Sequence, residues 1–152
     1  MPEVYSTKPA VEEIGMALRQ TYLSMKKRLP KDAEAVLVMR GRGNDELAPS
    51  KELLDEYKRQ EAECAKTAKD STEAAWCAYE AVDYERRFRA LIEGNPTSLE
   101  RLRRLSGESR ERDVFLICYE GEDKPCHRKL LLKIAEEEFE AKVDASPFLP
   151  QG

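Results

Sequence analysis

Cys118, Glu120, Cys126, His127 and Arg128 fall together in the segment from Val114 to Leu132, and His127 is the sole histidine of the chain. A cysteine near a helix N-terminus is acidified toward a reactive thiolate. An imidazole moves protons near neutral pH, and a positioned carboxylate serves as general acid or base. Cys118, Glu120 and His127 are therefore the catalytic candidates, with Cys118 as nucleophile or redox thiol. Arg128, Arg40 and Cys126 are the candidate ligand-binding residues. Arg128 stands in the first turn of its helix, where the helix dipole disfavours a cation. That placement calls for a bound anion, or for pairing with Glu120 or Glu122. Each residue also has a plainer structural role: Cys118 as a small core side chain, His127 packing a helix start, Glu120 solvated.

Two known site types fit poorly. Phosphatase-like and sulfurtransferase-like loops also join a strand-end cysteine to a helix-start arginine, but the path from Cys118 to Arg128 is longer and carries Glu120, Glu122 and Asp123, which repel phosphate. Cys118, Cys126 and His127 are suitable zinc ligands, yet their spacing is irregular and no fourth ligand stands out. No metal and no cofactor is assigned.

The elements that must position these residues follow from the apolar pattern. Val114-Phe115-Leu116-Ile117-Cys118-Tyr119 reads as a strand covered on both faces, as does Ala35-Val36-Leu37-Val38-Met39-Arg40. Val4-Tyr5 is a short further candidate. Val11, Ile14, Leu18, Tyr22, Met25 and Leu29 recur at helical steps, predicting a helix from Pro9 to Leu29 ended by Pro30. Ser50 caps a helix carrying Leu53, Leu54 and Tyr57. Ser71-Thr72 opens one helix in which Trp76, Tyr84, Phe88 and Ile92 form an aromatic core stripe beside Tyr79 and Leu91. Gly94-Asn95-Pro96 stops it, and Thr97 with Glu100 forms a capping box for a short helix. The last helix packs through Leu131, Ile134, Ala135 and Phe139.

The expected architecture is α/β and helix-rich: a small parallel sheet of three to four strands with helices on both faces, residues 1–145 forming one domain and 146–152 a flexible tail. In such a sheet, loops at the carboxyl ends of strands converge with helix N-termini. Should the strands ending at Arg40 and Cys118 be neighbours, Arg40, Cys118, Glu120, His127 and Arg128 would share a pocket. Gly41-Arg42-Gly43, after the first of them, matches neither a dinucleotide fingerprint nor a P-loop.

Hydrophobic residues make up 41% of the chain and charged residues 37%, well above the usual charged share of about 25%. The lean toward Glu, Lys and Arg resembles proteins of hot environments and points to a prokaryotic thermophile. A net charge of −4 gives no general nucleic-acid affinity. Arginines nevertheless cluster from Arg86 to Arg112, either as ion-paired helix faces or as a docking surface for nucleic acid, an acidic protein or a phosphate-bearing ligand. Without a membrane-length apolar run or a signal-peptide pattern, the chain is expected to be cytoplasmic. Cys64, Cys77, Cys118 and Cys126 are then expected as free thiols, an inference that a thermophilic host, tolerant of intracellular disulfides, weakens. The oligomeric state is not encoded in any pattern found.

Cys118-Tyr119-Glu120 followed by Cys126-His127-Arg128-Lys129-Leu130-Leu131 resembles the C-terminal signature of the family called domain of unknown function 488. Leu47 to Leu54 looks like the segment after that family's second strand, and Tyr79 to Leu91 like its next helix. The resemblance spans Ala35 to Phe139 and implies a compact α/β protein of the prokaryotic cytoplasm with no established activity. One departure matters: where members often carry Val-Asp-Val-Arg, this chain reads Leu37-Val38-Met39-Arg40. A catalytic role resting on that aspartate does not transfer. Three functions are consistent with these readings: a ligand-binding or catalytic pocket around Cys118 for a nucleotide or other anion, an Arg-rich binding module without catalysis, and a Cys/His metal or redox site.

Overall fold

The computed structural model describes residues 15–150, so the expected strand at Val4-Tyr5 and the start of the expected helix at Pro9 lie outside the described residues. Four strands form one all-parallel sheet: β1 (Leu18–Tyr22), β2 (Glu34–Leu37), β3 (Val114–Cys118) and β4 (Val143–Asp144), in the order β2-β3-β1-β4. β3 is buried at all five residues, which is why its sequence is apolar on both faces.

β1 replaces the helix expected through Leu29. Leu18 and Tyr22 are four residues apart, a spacing that suits one helix face and equally one strand face. The residue between them on that strand face is Gln20, fully buried and hydrogen-bonded. Its polarity hid the two-residue alternation. A 3-10 helix, Leu23–Arg28, follows.

Five α-helices complete the described fold: α1 (Lys51–Cys64), α2 (Ser71–Ala81), α3 (Tyr84–Glu93), α4 (Pro96–Glu108) and α5 (His127–Phe139). Ser50 caps α1 by accepting from the Leu53 N–H at 3.1 Å, as its sequence predicts. The helix expected to run from Ser71 to Ile92 is two helices. Asp83 adopts a left-handed φ of 56° between them, a conformation Asp tolerates better than most residues. The break leaves Tyr84, Phe88 and Ile92 in the core and Trp76 43% exposed. The expected Thr97/Glu100 capping box is also corrected. Asn95 is the cap, accepting from the Thr97 N–H at 3.0 Å with Pro96 in the first turn, and Glu100 pairs with Arg103.

All five helices feed one core. Leu53, Ala78, Phe88, Leu102 and Ile134 pack with Leu18, Val36 and Leu116 of the strands. On the opposite face of β3, Phe115 meets the Phe148 ring edge-on at 5.2 Å. At the sheet's N-terminal end Arg19 binds Asp113 at 2.9 Å and Asp144 at 2.6 Å, tying β1 to β4. No helix among the described residues is long and apolar enough to cross a membrane.

The cysteines are paired, contrary to the expectation of free thiols. Cys64 bonds Cys77 across α1 and α2, and Cys118 bonds Cys126 across the loop between β3 and α5. The expectation rested on compartment alone; the folded chain brings each pair to bonding distance.

Candidate functional site

β2 and β3 are hydrogen-bonded neighbours, with Leu37 opposite Ile117 and the Val38 N–H donating to the Ile117 carbonyl at 3.0 Å. The two strands therefore release their chains side by side. After β2, Gly41 and Gly43 take φ values of 87° and 95°, which glycine adopts without strain. That turn is pinned by the Asp45 carboxylate accepting from the Gly41 N–H at 2.7 Å, and by the Asn44 amide donating to the Leu37 carbonyl at 2.8 Å. After β3, residues Tyr119 to Pro125 form the loop that delivers Cys126 and His127 to the start of α5.

Between these loops, the first half of α1, the end of α2 and the start of α3 lies a cavity of about 290 Å³. Arg40, Glu120, Cys126 and His127 line it, together with Tyr57, Lys58, Tyr79 and Tyr84. Four of the residues singled out in the sequence thus share one wall. Cys118 lies beneath, fully buried and bonded to Cys126. As a disulfide it holds no thiolate, so in this state it is not a nucleophile.

Arg128 does not join the cavity lining. Its guanidinium is fully buried. It donates to the Gln20 side chain at 2.6 Å and to the Glu120 carbonyl at 2.8 Å, and lies 3.7 Å from Glu122. Burial pulls its pKa down, and the charges of Glu122 and Glu120 oppose that shift. The anion that its position in the helix called for is supplied internally, by Glu122 and two loop carbonyls. Arg128 thereby fixes the loop that carries Glu120.

His127 is 6% exposed. Its Nε2 lies 2.7 Å from the Val38 carbonyl, an acceptor, so Nε2 carries the proton and Nδ1 keeps the lone pair. Nδ1 is 3.7 Å from both the Cys118 and the Cys126 sulfur. Burial is the main cause that pushes the His127 pKa down to about 4; the Val38 hydrogen bond opposes it and the Arg128 charge adds to it. The ring is neutral at pH 7. Val38, second in the run where family members often carry aspartate, serves here through its backbone.

Of the four lining tyrosines, the sequence places Tyr57, Tyr79 and Tyr84 on or beside apolar helix faces and Tyr119 at the end of the last buried strand. Tyr79 and Tyr84 stack with centroids 5.1 Å apart, and Tyr57 meets Tyr84 edge-on at 5.6 Å. The row continues through Phe88, whose ring meets His127 edge-on at 5.2 Å. Burial pushes the Tyr79 pKa up to about 12, with Glu85 adding to it. Tyr57 and Tyr84 are pushed higher still, by burial first and by carboxylates including Glu120 after it. All three stay protonated donors at neutral pH. The usable signal was their chemistry: a tyrosine on a core stripe needs a wet or polar end for its hydroxyl.

Arg40 is exposed at the cavity edge, donates to the Pro49 carbonyl at 3.3 Å, and meets no carboxylate among the described residues. The clustered arginines elsewhere differ. Arg86, Arg103 and Arg112 pair with carboxylates three or four residues away, as the plainer sequence reading expects, whereas Arg87 and Arg101 pair with other segments and Arg89 with both its own helix and α5.

Cys118, Cys126 and His127 present donor atoms within 4.8 Å of one another, but both sulfurs are spent on the disulfide. No curated protein and no solved structure matches the chain. A family model described as the active DUF488-N3 subclade matches residues 24–138, a span that contains both strand ends and every residue lining the cavity. The chain belongs to the DUF488 family.

Proposed function

We propose that the cavity at the ends of β2 and β3 binds a small anionic ligand bearing an aromatic ring, with a nucleotide as the best-fitting class. The observation that carries this reading is the composition of one wall set. Two cations, Arg40 and Lys58, stand beside four tyrosines, Tyr57, Tyr79, Tyr84 and Tyr119, around about 290 Å³. A volume near the lower end of the usual range for ligand sites suits a single base or mononucleotide. Aromatic faces accept any planar ring, and a guanidinium offers paired donors to a phosphate or carboxylate.

Glu120 borders the same space. Its charge repels the anionic group and so orients the ligand, ring toward the tyrosines and anion toward Arg40. Any proton transfer to the ligand would run through Glu120, because both His127 nitrogens already face protein atoms. Arg128 acts by holding the loop.

Calorimetric titration of the four common nucleoside monophosphates, with inorganic phosphate as control, tests this. Saturable binding of a nucleotide, weakened about tenfold or more in Arg40→Ala, is expected; a hydrogen bond to a charged group is worth about 1.5 to 3 kcal/mol. Absence of saturable binding, or binding indifferent to Arg40→Ala, contradicts the reading.

A further inference from the structure

We infer that the Cys118–Cys126 pair is a redox centre that exchanges electrons with a small anionic thiol entering through the cavity. The two sulfurs are unequally placed. Cys126 borders the cavity and is partly exposed, whereas Cys118 is fully buried at the end of β3. An incoming thiolate can therefore reach only the Cys126 sulfur. Attack is directional, and the leaving sulfur is fixed in advance as Cys118.

The surroundings suit each sulfur to its part. Cys126 is the N-cap of α5, a thirteen-residue helix, and no side chain caps its free N–H groups. Those N–H groups and the helix dipole favour negative charge on the Cys126 sulfur. Thiolates beside helix N-termini are stabilised in this way. Cys118 has only the His127 ring beside it, whose Nδ1 at 3.7 Å is left as an acceptor because Nε2 is tied to Val38. A Cys118 thiol can donate to that nitrogen once the disulfide opens. Arg40 and Lys58 on the cavity wall favour a thiol carrying carboxylate or phosphate. That last point rests on the cavity being a site for anions.

The exchange balances as follows. The thiolate of the small molecule attacks the Cys126 sulfur and forms a mixed disulfide with it. The Cys126–Cys118 bond breaks, and its electron pair stays on Cys118. Cys118 takes up a proton from solvent, equivalent to the one the attacking thiol released, and its S–H donates to His127. A second small thiolate attacks the outer sulfur of the mixed disulfide, and the electron pair of that bond passes to Cys126. Two thiols become one small disulfide, and the protein disulfide gains two electrons as a dithiol.

The test uses the oxidised full chain with glutathione as the anionic thiol and glutathione dimethyl ester as its less negative counterpart. Adducts are trapped with iodoacetamide and mapped by peptide mass spectrometry. A glutathione adduct on Cys126 and none on Cys118 is expected. Cys118→Ser, treated with glutathione disulfide, is expected to accumulate that same adduct as the Cys126 thiolate attacks the small disulfide and releases one glutathione. Glutathione is expected to react about tenfold faster than the ester at low salt, the gap closing as salt screens the cavity. An adduct on Cys118, a disulfide reduced only as fast as the protein unfolds, or equal rates for both thiols overturns the inference. So does a purified dithiol that holds one zinc ion and resists oxidation. Nucleotide binding with an inert disulfide defeats this inference alone; a Cys126 adduct without nucleotide binding defeats only the nucleotide reading.

Discussion

The two disulfides sit in regions built on different principles. Cys64–Cys77 joins the end of α1 to the exposed face of α2, thirteen residues apart in sequence. Neither cysteine lines the cavity beneath which the other pair lies. Cys64 is buried in the apolar core and Cys77 faces solvent. Cys118–Cys126 joins the sheet to α5 under that cavity, beside a buried neutral histidine and above a buried Arg128–Gln20 contact. Closing a loop between two helices requires only proximity and stabilises mainly by restricting the unfolded chain. Keeping an arginine, a glutamine and a histidine in the interior requires a partner for each polar atom, because burial without one costs far more than any gain from packing. The second region keeps buried polar groups at the expense of simple packing, and the first does not.

The largest expected consequence concerns Arg128. Arg128→Ala strands the Gln20 side-chain oxygen and the Glu120 carbonyl and leaves Glu122 only Lys129 as a cation among the described residues, and is expected to cost about 3 to 5 kcal/mol in denaturant unfolding. A cost near that of a surface ion pair would dissolve the contrast between the regions.

Next comes the pH dependence set by His127. Its folded pKa of about 4 lies below the ordinary value of 6.5. Below pH 6.5 the unfolded chain takes a proton that the folded chain refuses, so stability falls as pH drops from 6.5 and levels off below 4. The loss reaches about 3 kcal/mol. In His127→Phe, which keeps a ring against Phe88 and cannot titrate, that part of the slope between pH 6.5 and 4.5 should vanish. An unchanged slope would show that His127 is not held neutral.

Cys64→Ala combined with Cys77→Ser should cost about 2 to 3 kcal/mol, the loop-closure value for a ring of this size, while leaving nucleotide affinity unaltered. Changed affinity would mean that the α1–α2 bond also shapes the cavity wall. The smallest effect belongs to Asp70, which caps α2 by accepting from the Glu73 N–H at 2.9 Å. Asp70→Ala should cost about 1 kcal/mol and leave thiol exchange at Cys126 unaffected.

How much of this was legible in the sequence depends on what each residue was compensated by. β3 was legible because five buried residues of one kind admit few other readings. Its pairing with β2 was a condition that the sequence left open, because nothing local sets strand order. With that pairing in place, Arg40, Glu120 and His127 line one cavity, while Cys118 and Arg128 of the same conditional set are buried outside its lining. β1 was not legible, because a buried Gln20 looks like a surface residue until Arg128 is found opposite it. Arg128 itself misled in the converse way: its unfavourable place in the helix correctly signalled a negative partner, which proved to be Glu122 and loop carbonyls of the same chain. The tyrosine wall went unread because helical spacing alone does not separate a ring that faces the core from one that faces a cavity inside it. The disulfides depended on distances that only the folded chain sets.

Tyrosine rings report directly on whether the cavity is the site. With tyrosine ring carbons labelled, addition of a nucleoside monophosphate should shift the NMR signals of Tyr57, Tyr79, Tyr84 and Tyr119, while Tyr22, which does not line the cavity, keeps its position. Shifts absent from those four rings, with changes confined to the arginine-bearing faces of α3 and α4, would contradict the assignment and place binding on the helix surface instead.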